Sequence, residues 1–293
     1  MPLKYIYLCR IMHRNVLTEQ IKEKGTYLCV GLDTDLTKIP KHLQQHPNAI
    51  VEFNKAIIDA TKEHCVSYKI NTAFYEAMGT RGWQAMEETV AYIPSTHLKI
   101  ADAKRGDIGN TSSQYAKAFF ETIPFDAITV APYMGEDSIR PFLEYDNKWT
   151  IVLGLTSNKG ANDFEMLKLV RENISNVAEE ETASLRSEFL YEKVLHKVAQ
   201  WGTPDNLMFV VGATQATEFE NIRSILPDHF FLVPGVGFQG GSLEDISKHA
   251  MNKDCGILVN ASRAVIYAGS DENFATEAKA IAEQYHAEMR SYL

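Results

Sequence analysis

The sequence lacks any apolar run near the ~18 residues that a membrane-spanning helix needs, so no membrane partner is expected. It is also poor in cysteine. Cys9, Cys29, Cys65 and Cys255 are the four present, and none forms the CxxC pair of a redox or zinc site. Cys29 and Cys255 border apolar runs and are expected to be buried as small hydrophobes. That usage points to a reducing, cytoplasmic compartment. The opening segment shows no clear signal-peptide core or cleavage site. Basic side chains are outnumbered, 29 Lys and Arg against 38 Asp and Glu, for a formal charge of -9. Such a chain lacks the basic footprint of a sequence-blind nucleic-acid binder. A small phosphorylated ligand stays open, because one arginine and a few backbone N–H groups can hold a single phosphate. The nine histidines are scattered and no HExxH frame occurs, so no metal is expected.

What is present is ordinary globular material. With 45% hydrophobic and 23% charged residues, the chain can build a sizeable core. Eight short, largely apolar runs recur, and most end in Gly, Asp, Asn or Ser: 26–35, 67–75, 97–107, 127–135, 150–158, 208–214, 230–241 and 256–263. Helical periodicity fills much of the space between, as in 48–64, 81–93, 110–122, 215–226 and 273–292. Apolar strands without clean alternation suit a parallel sheet covered by helices. Eight such units in ~260 residues match a (β/α)8 TIM barrel. An open doubly wound sheet is the alternative. The chain is expected to be a single domain over 1–293, with its barrel core at about 26–270. The long crossover after strand five, about 159–207, is charged and helical in pattern, and is expected to be a helical insertion.

In a barrel of this kind, chemistry collects where strands end. Asp33 ends the first run. Lys69 and Asn71 lie two apart in the second, Asp102 and Lys104 two apart in the third, and each pair should share a face. Asp107 follows in the loop. Charges inside apolar strands are costly to bury unless paired. Alternating lysine and aspartate would offset the cost, hold a lysine protonated, and aim it at a reacting carbon. Blander readings exist: Asp33 or Asp107 as helix caps, Asn71 as a turn former, Lys69 and Lys104 as snorkelling edge residues. A second cluster combines 234-PGVGFQGG-241 with 260-NASR-263. Gly235, Gly237, Gly240 and Gly241 can free backbone N–H groups to face an anion. Arg263 adds a fork of donors and Gln239 an amide.

These segments resemble orotidine 5'-phosphate decarboxylases from about Thr26 to Ala268, with Asp102-x-Lys104-x-x-Asp107 as the signature. The stretches DAKRGDIGNTS and TVAPYMGEDS look like the longer bacterial branch of that family. The resemblance implies conversion of orotidine monophosphate to uridine monophosphate and CO2 in de novo pyrimidine biosynthesis, without cofactor. It implies Lys104 as the proton donor at C6 of the pyrimidine and Asp102 beside the substrate carboxylate. Lys69 and Asp102 would hold Lys104, while Asp33 and Lys69 contact ribose. Gln239, Arg263 and the N–H of Ser262 would grip the phosphate. Ser157 is similar to the residue that reads the pyrimidine edge, a looser match, and Asn71 falls on a site position. Asp107, Ile108 and Thr111 would reach into a neighbouring subunit, so a homodimer with shared active sites is implied.

Three other readings remain at the level of residues. A magnesium-dependent sugar-phosphate decarboxylase would need acidic ligands where strand two has Lys69 and Asn71. A Schiff-base aldolase would need a neutral, desolvated lysine. A non-catalytic nucleotide-binding module would explain the glycine loop but not charges embedded in two strands.

Overall fold

The computed structural model describes residues 12–171, 186–214, 216–236 and 240–293. Strands form where apolar, β-branched residues run between polar stops. They are β1 (Leu28–Gly31), β2 (Ser67–Asn71), β3 (Leu98–Arg105), β4 (Ala127–Val130), β5 (Trp149–Leu155), β6 (Lys168–Arg171), β7 (Arg186–Phe189), β8 (Leu207–Val211), β9 (Phe230–Pro234) and β10 (Ile257–Ala261). Eight of them close into a barrel in the order β1-β10-β9-β8-β5-β4-β3-β2. Every ladder in the barrel is parallel. Strands β1, β4, β8 and β10 are buried along their whole length, as expected when helices cover the outside of a filled barrel. The open-sheet alternative is thereby excluded.

The helices expected at 48–64, 81–93 and 273–292 are found at Ala49–Thr61, Thr80–Tyr92 and Phe274–Arg290. The run 67–75 is shorter as a strand than its composition suggests. Asn71 ends β2, and its side chain accepts a hydrogen bond from the Ala73 N–H to start the helix Thr72–Glu76.

The crossover after β5 departs from expectation. It is not wholly helical. A short 3-10 turn, Lys159–Asp163, leads into an antiparallel ribbon in which β6 pairs with β7, Lys168 opposite Phe189 and Arg171 opposite Arg186. Among the described residues of the crossover only Leu190–Val198 is α-helix, and it buries Tyr191, Leu195 and Val198. The intervening 172–185 lies outside the described residues. Helical periodicity within one segment does not register a ladder whose partner lies fifteen or more residues away. The ribbon is also held by a cross-strand contact that is invisible in either strand alone, the Lys168 ammonium lying 5.6 Å from the centre of the Phe189 ring; Phe189 in turn stacks on Tyr191 of the following helix with ring centroids 5.8 Å apart.

The packed body also extends beyond 26–270. The helix Arg14–Lys24 buries Leu17 and Ile21 completely and ends at Gly25, whose left-handed conformation turns the chain into β1. It covers the end of the barrel opposite the strand C-termini. Trp149, the first residue of β5, donates from its indole N–H to the Met12 carbonyl at 2.7 Å. Arg14 donates to the Pro204 carbonyl at 2.9 Å, pairs with Asp254 at 3.0 Å, and stands over the Phe230 ring. Cys29, Cys65 and Cys255 are buried thiols, as expected for two of them from their apolar flanks. Among the described residues, no helix is long and apolar enough to cross a membrane.

The Arg14 latch is testable. Arg14→Ala removes a partly buried charge-assisted pair and a carbonyl contact, and is expected to cost roughly 1–3 kcal/mol of stability. Urea denaturation measures it; a loss below about 0.5 kcal/mol, the usual surface value, would show that the latch contributes little.

Candidate functional site

The C-terminal ends of β1, β2 and β3 bring four charges of alternating sign into one line. The Lys69 ammonium donates to Asp102 Oδ2 at 2.8 Å and to Asp33 Oδ1 at 3.4 Å. Asp102 Oδ1 in turn accepts from the Lys104 ammonium at 2.6 Å. Exposure is lowest in the middle of the line and greatest at Lys104. The side chain of Lys69 is 5% accessible, Asp102 12%, Asp33 19% and Lys104 51%. The inner members are therefore locked, and the outermost lysine opens to the mouth of the barrel.

Burial alone would favour neutral Lys69. The carboxylates of Asp102 and Asp33 outweigh that and hold its pKa above the ordinary lysine value. Burial likewise favours protonated Asp102, but Lys69 and Lys104 outweigh it and hold the carboxyl well below the usual range. Both groups stay charged at neutral pH. The neutral lysine that a Schiff base requires is absent at Lys69.

Local structure explains how Lys104 comes to face Asp102. Between Ala101 and Arg105 the ladder of β3 with β4 shifts, so that residues 102–104 oppose the single residue Thr129. Lys104 takes the left-handed conformation, φ 47°, uncommon for a non-glycine residue. Its N–H has no strand carbonyl opposite and donates instead to Thr129 Oγ1 at 2.9 Å. That hydroxyl donates to Asp102 Oδ1 at 3.1 Å.

A cleft of about 150 Å3 is lined by Asp33, Lys69, Asn71, Asp102, Gly235, Asn260, Ser262 and Arg263, among others. It joins the charged line to the ends of β9 and β10. Gly235 and Gly240 have positive φ, and the Gly241 N–H donates to the Gly235 carbonyl, folding this loop back on itself. A Cβ on Gly241 would lie 2.4 Å from that of Ala213, so the loop seats only without a side chain there. Ser262 donates from Oγ to the Gly31 carbonyl at 3.2 Å and precedes the helical turn Arg263–Ile266, which opens with exposed Arg263. Gly237 and Gln239 lie outside the described residues. A roomier hollow of about 610 Å3, lined by Gln44, Asn48, Arg81 and Glu88 among others, is walled by helices and loops rather than strand ends.

Of the residues singled out from the sequence, Asp33, Lys69, Asn71, Asp102, Ser262, Arg263 and Gly235 share this cleft, and Lys104 joins it through Asp102. Asp107, Ile108, Thr111 and Ser157 do not line it. Asp107 Oδ1 accepts from the Ile108 N–H at 2.7 Å, and Ile108 is 58% exposed on the loop beyond β3. Ser157 follows β5 and packs on Gly212, where a Cβ would approach its nitrogen to 2.7 Å. Neighbouring Thr156 is held by Glu165 of the crossover, which accepts from its N–H at 2.7 Å and its hydroxyl at 2.8 Å. Sequence reasoning missed Thr129 and Asn260. Both are polar residues inside apolar strands, and that interruption was the available signal.

The ion line sets a pH dependence. The lowered pKa of Asp102 contributes stability that is complete above the unfolded value of about 4 and is lost as pH falls towards the folded one. The raised pKa of Lys69 contributes stability that is complete below about 10.4 and is lost as pH climbs past it. Asp102→Asn is therefore expected to be less stable than the parent at pH 7, with a difference that narrows below about pH 4. Urea titrations at both pH values test this, and a gap that widens on acidification contradicts it.

Residues 26–279 match the family model described as orotidine 5'-phosphate decarboxylase / HUMPS family. The chain is 52% identical over 285 residues to the orotidine 5'-phosphate decarboxylase of Phocaeicola vulgatus, covering 96% of this chain and 99% of that protein. It is 53% identical over 280 residues to the same enzyme of Christiangramia forsetii, covering 94% and 97%. The solved structure of Leishmania donovani OMP decarboxylase superposes with a TM-score of 0.76 at 33% identity, over 96% of this chain and 99% of that one. With its barrel, its ion line and these relatives, the chain belongs to the orotidine 5'-phosphate decarboxylase / HUMPS family.

Proposed function

We propose that this chain decarboxylates orotidine monophosphate to uridine monophosphate in de novo pyrimidine biosynthesis, with Lys104 as the catalytic acid and no metal or cofactor. One observation carries the reading: the alternating line Asp33–Lys69–Asp102–Lys104 at the strand ends. Breaking the bond between C6 and the carboxylate leaves an electron pair on C6 with no adjacent carbonyl to receive it. A fixed ammonium opposite that carbon stabilises the developing charge without reorganising during the reaction. The Lys104 ammonium then gives its proton to C6, and the amine is reprotonated from water. Asp102, held ionised by its two lysines, stands beside the substrate carboxylate and raises the energy of the bound ground state.

Binding energy comes from elsewhere in the cleft. Arg263 and the backbone of the Gly235–Gly241 loop grip the phosphate, together with Gln239 and the N–H of Ser262. Asp33, Lys69 and Asn71 face the ribose. Ser157, on the turn held by Glu165, reads the pyrimidine edge. Holding a remote phosphate lets binding energy order the site for the reacting centre.

The proposed assembly is a homodimer in which Asp107, Ile108 and Thr111 complete the partner's site. Two features support it. These residues stand outside the cleft of their own chain. Exposed apolar side chains also cluster on the loops after β3 and β4, with Ile108 58%, Met134 47% and Tyr133 88% accessible. Tyr133 lies near exposed Phe164 of the crossover, ring centroids 6.4 Å apart, which extends the apolar surface after β4.

Lys104→Ala is expected to keep the fold and lose nearly all turnover, followed by the fall in absorbance as orotidine monophosphate is consumed. A residual rate within about tenfold of the parent, ~1.4 kcal/mol, removes the assigned role. The parent rate should survive EDTA; its loss would favour the metal-dependent alternative.

Subunit mixing separates a shared site from an internal one. Asp107→Ala and Lys104→Ala proteins are each expected to be nearly inactive. Random exchange in an equal mixture gives about half mixed dimers, each with one intact site, so about a quarter of parental activity should return. Exchange proven by a tag without regained activity places Asp107 in its own chain's site.

A further inference from the structure

Thr129 is the one residue of β4 opposite the three-residue excursion of β3, and it is 1% exposed. Its hydroxyl performs two tasks at once. It accepts the N–H of Lys104, which the shifted ladder leaves without a strand carbonyl, and it donates to the Asp102 oxygen that Lys104 itself binds. Asp102 Oδ1 therefore sits between a hydroxyl anchored in the barrel wall and the mobile tip of a half-exposed lysine. Its other oxygen is committed to Lys69. A carboxylate held at both oxygens cannot rotate about its terminal torsion without giving up a bond. Lys104 is held likewise, by backbone through Thr129 and by ammonium through Asp102.

We propose that Thr129 is a positioning residue for this decarboxylation, fixing both the backbone of Lys104 and the rotation of Asp102 through its single hydroxyl. It reaches the substrate only through those two residues. The chemistry of the requirement is narrow. The side chain must accept one hydrogen bond and donate another from the same atom, so serine satisfies it and valine, of the same shape as threonine, does not. The expected failure is in the reacting geometry rather than in binding, because the phosphate and ribose contacts come from β9, β10, β1 and β2. A displacement of the acid by a fraction of an ångström is enough to slow a step that depends on alignment.

The inference rests on the decarboxylase reading, and the experiment keeps the two apart. Turnover of orotidine monophosphate and inhibition by uridine monophosphate are measured for the parent, Thr129→Val and Thr129→Ser, with folding followed by circular dichroism. Thr129→Val should lose about tenfold to a hundredfold in kcat, while KM and the inhibition constant for uridine monophosphate stay within about threefold of the parent. Thr129→Ser should return kcat to within about threefold of the parent. An inactive parent overturns the decarboxylase reading, and this one with it. An active parent with an unimpaired valine variant overturns only the role of Thr129. So does a serine variant that falls as far as valine, or a loss of nucleotide binding in step with kcat, since either marks a purely structural part. If valine prevents folding, Thr129→Ala takes its place against serine under the same criteria.

Discussion

Lys69 is the fixed point of this protein. An ammonium that is 5% accessible at the rim of an apolar barrel is tolerable only with carboxylates on it, and Asp102 and Asp33 supply them. That single requirement propagates outward. Asp102, made ionised by Lys69, has an oxygen to spare, and Lys104 occupies it. The strand must leave its regular ladder to bring Lys104 there, and Thr129 closes the gap that the departure opens. Removing Lys69 or Asp102 would leave the other buried without its main partner, so these two inner charges stand or fall together.

The two ends of the barrel divide the work. At the end where strands start, Arg14, Trp149 and Asp254 tie the helix Arg14–Lys24 across the opening with hydrogen bonds and apolar contact. At the other end sit the left-handed Lys104, the glycine loop after β9 and the turn braced by Glu165. These features cost local stability and can be carried because the opposite end is closed by the Arg14 and Trp149 hydrogen bonds and by buried apolar side chains.

Much of this was legible in the chain itself. The eight parallel strands followed from apolar runs with polar ends, and the charged residues of β2 and β3 stood out because lysine and aspartate inside such runs demand partners. Other parts were hidden for physical reasons. Thr129 reads as an ordinary β-former in Ala127–Val130, and its use depends on a register shift in another strand. The ribbon of β6 and β7 is a non-local pairing, whereas the helical rhythm of its flanks is local and misleading. The helix Arg14–Lys24 was passed over because its role lies in what it covers, not in any motif it carries.

The register shift in β3 has an arithmetic of its own. Three residues stand where one would pair, an excess of two, and an even excess preserves parity. Arg105 therefore keeps the outward facing that an unshifted strand would give Ala103. It uses that facing to pair with Glu76 and to lie against the rings of Tyr115 and Phe119 in the helical layer. An odd change in length at this point would turn the guanidinium, on the last residue of the strand, into the barrel. The segment that carries the reacting lysine is thus constrained in length as well as in the charges at its two ends, Asp102 and Lys104.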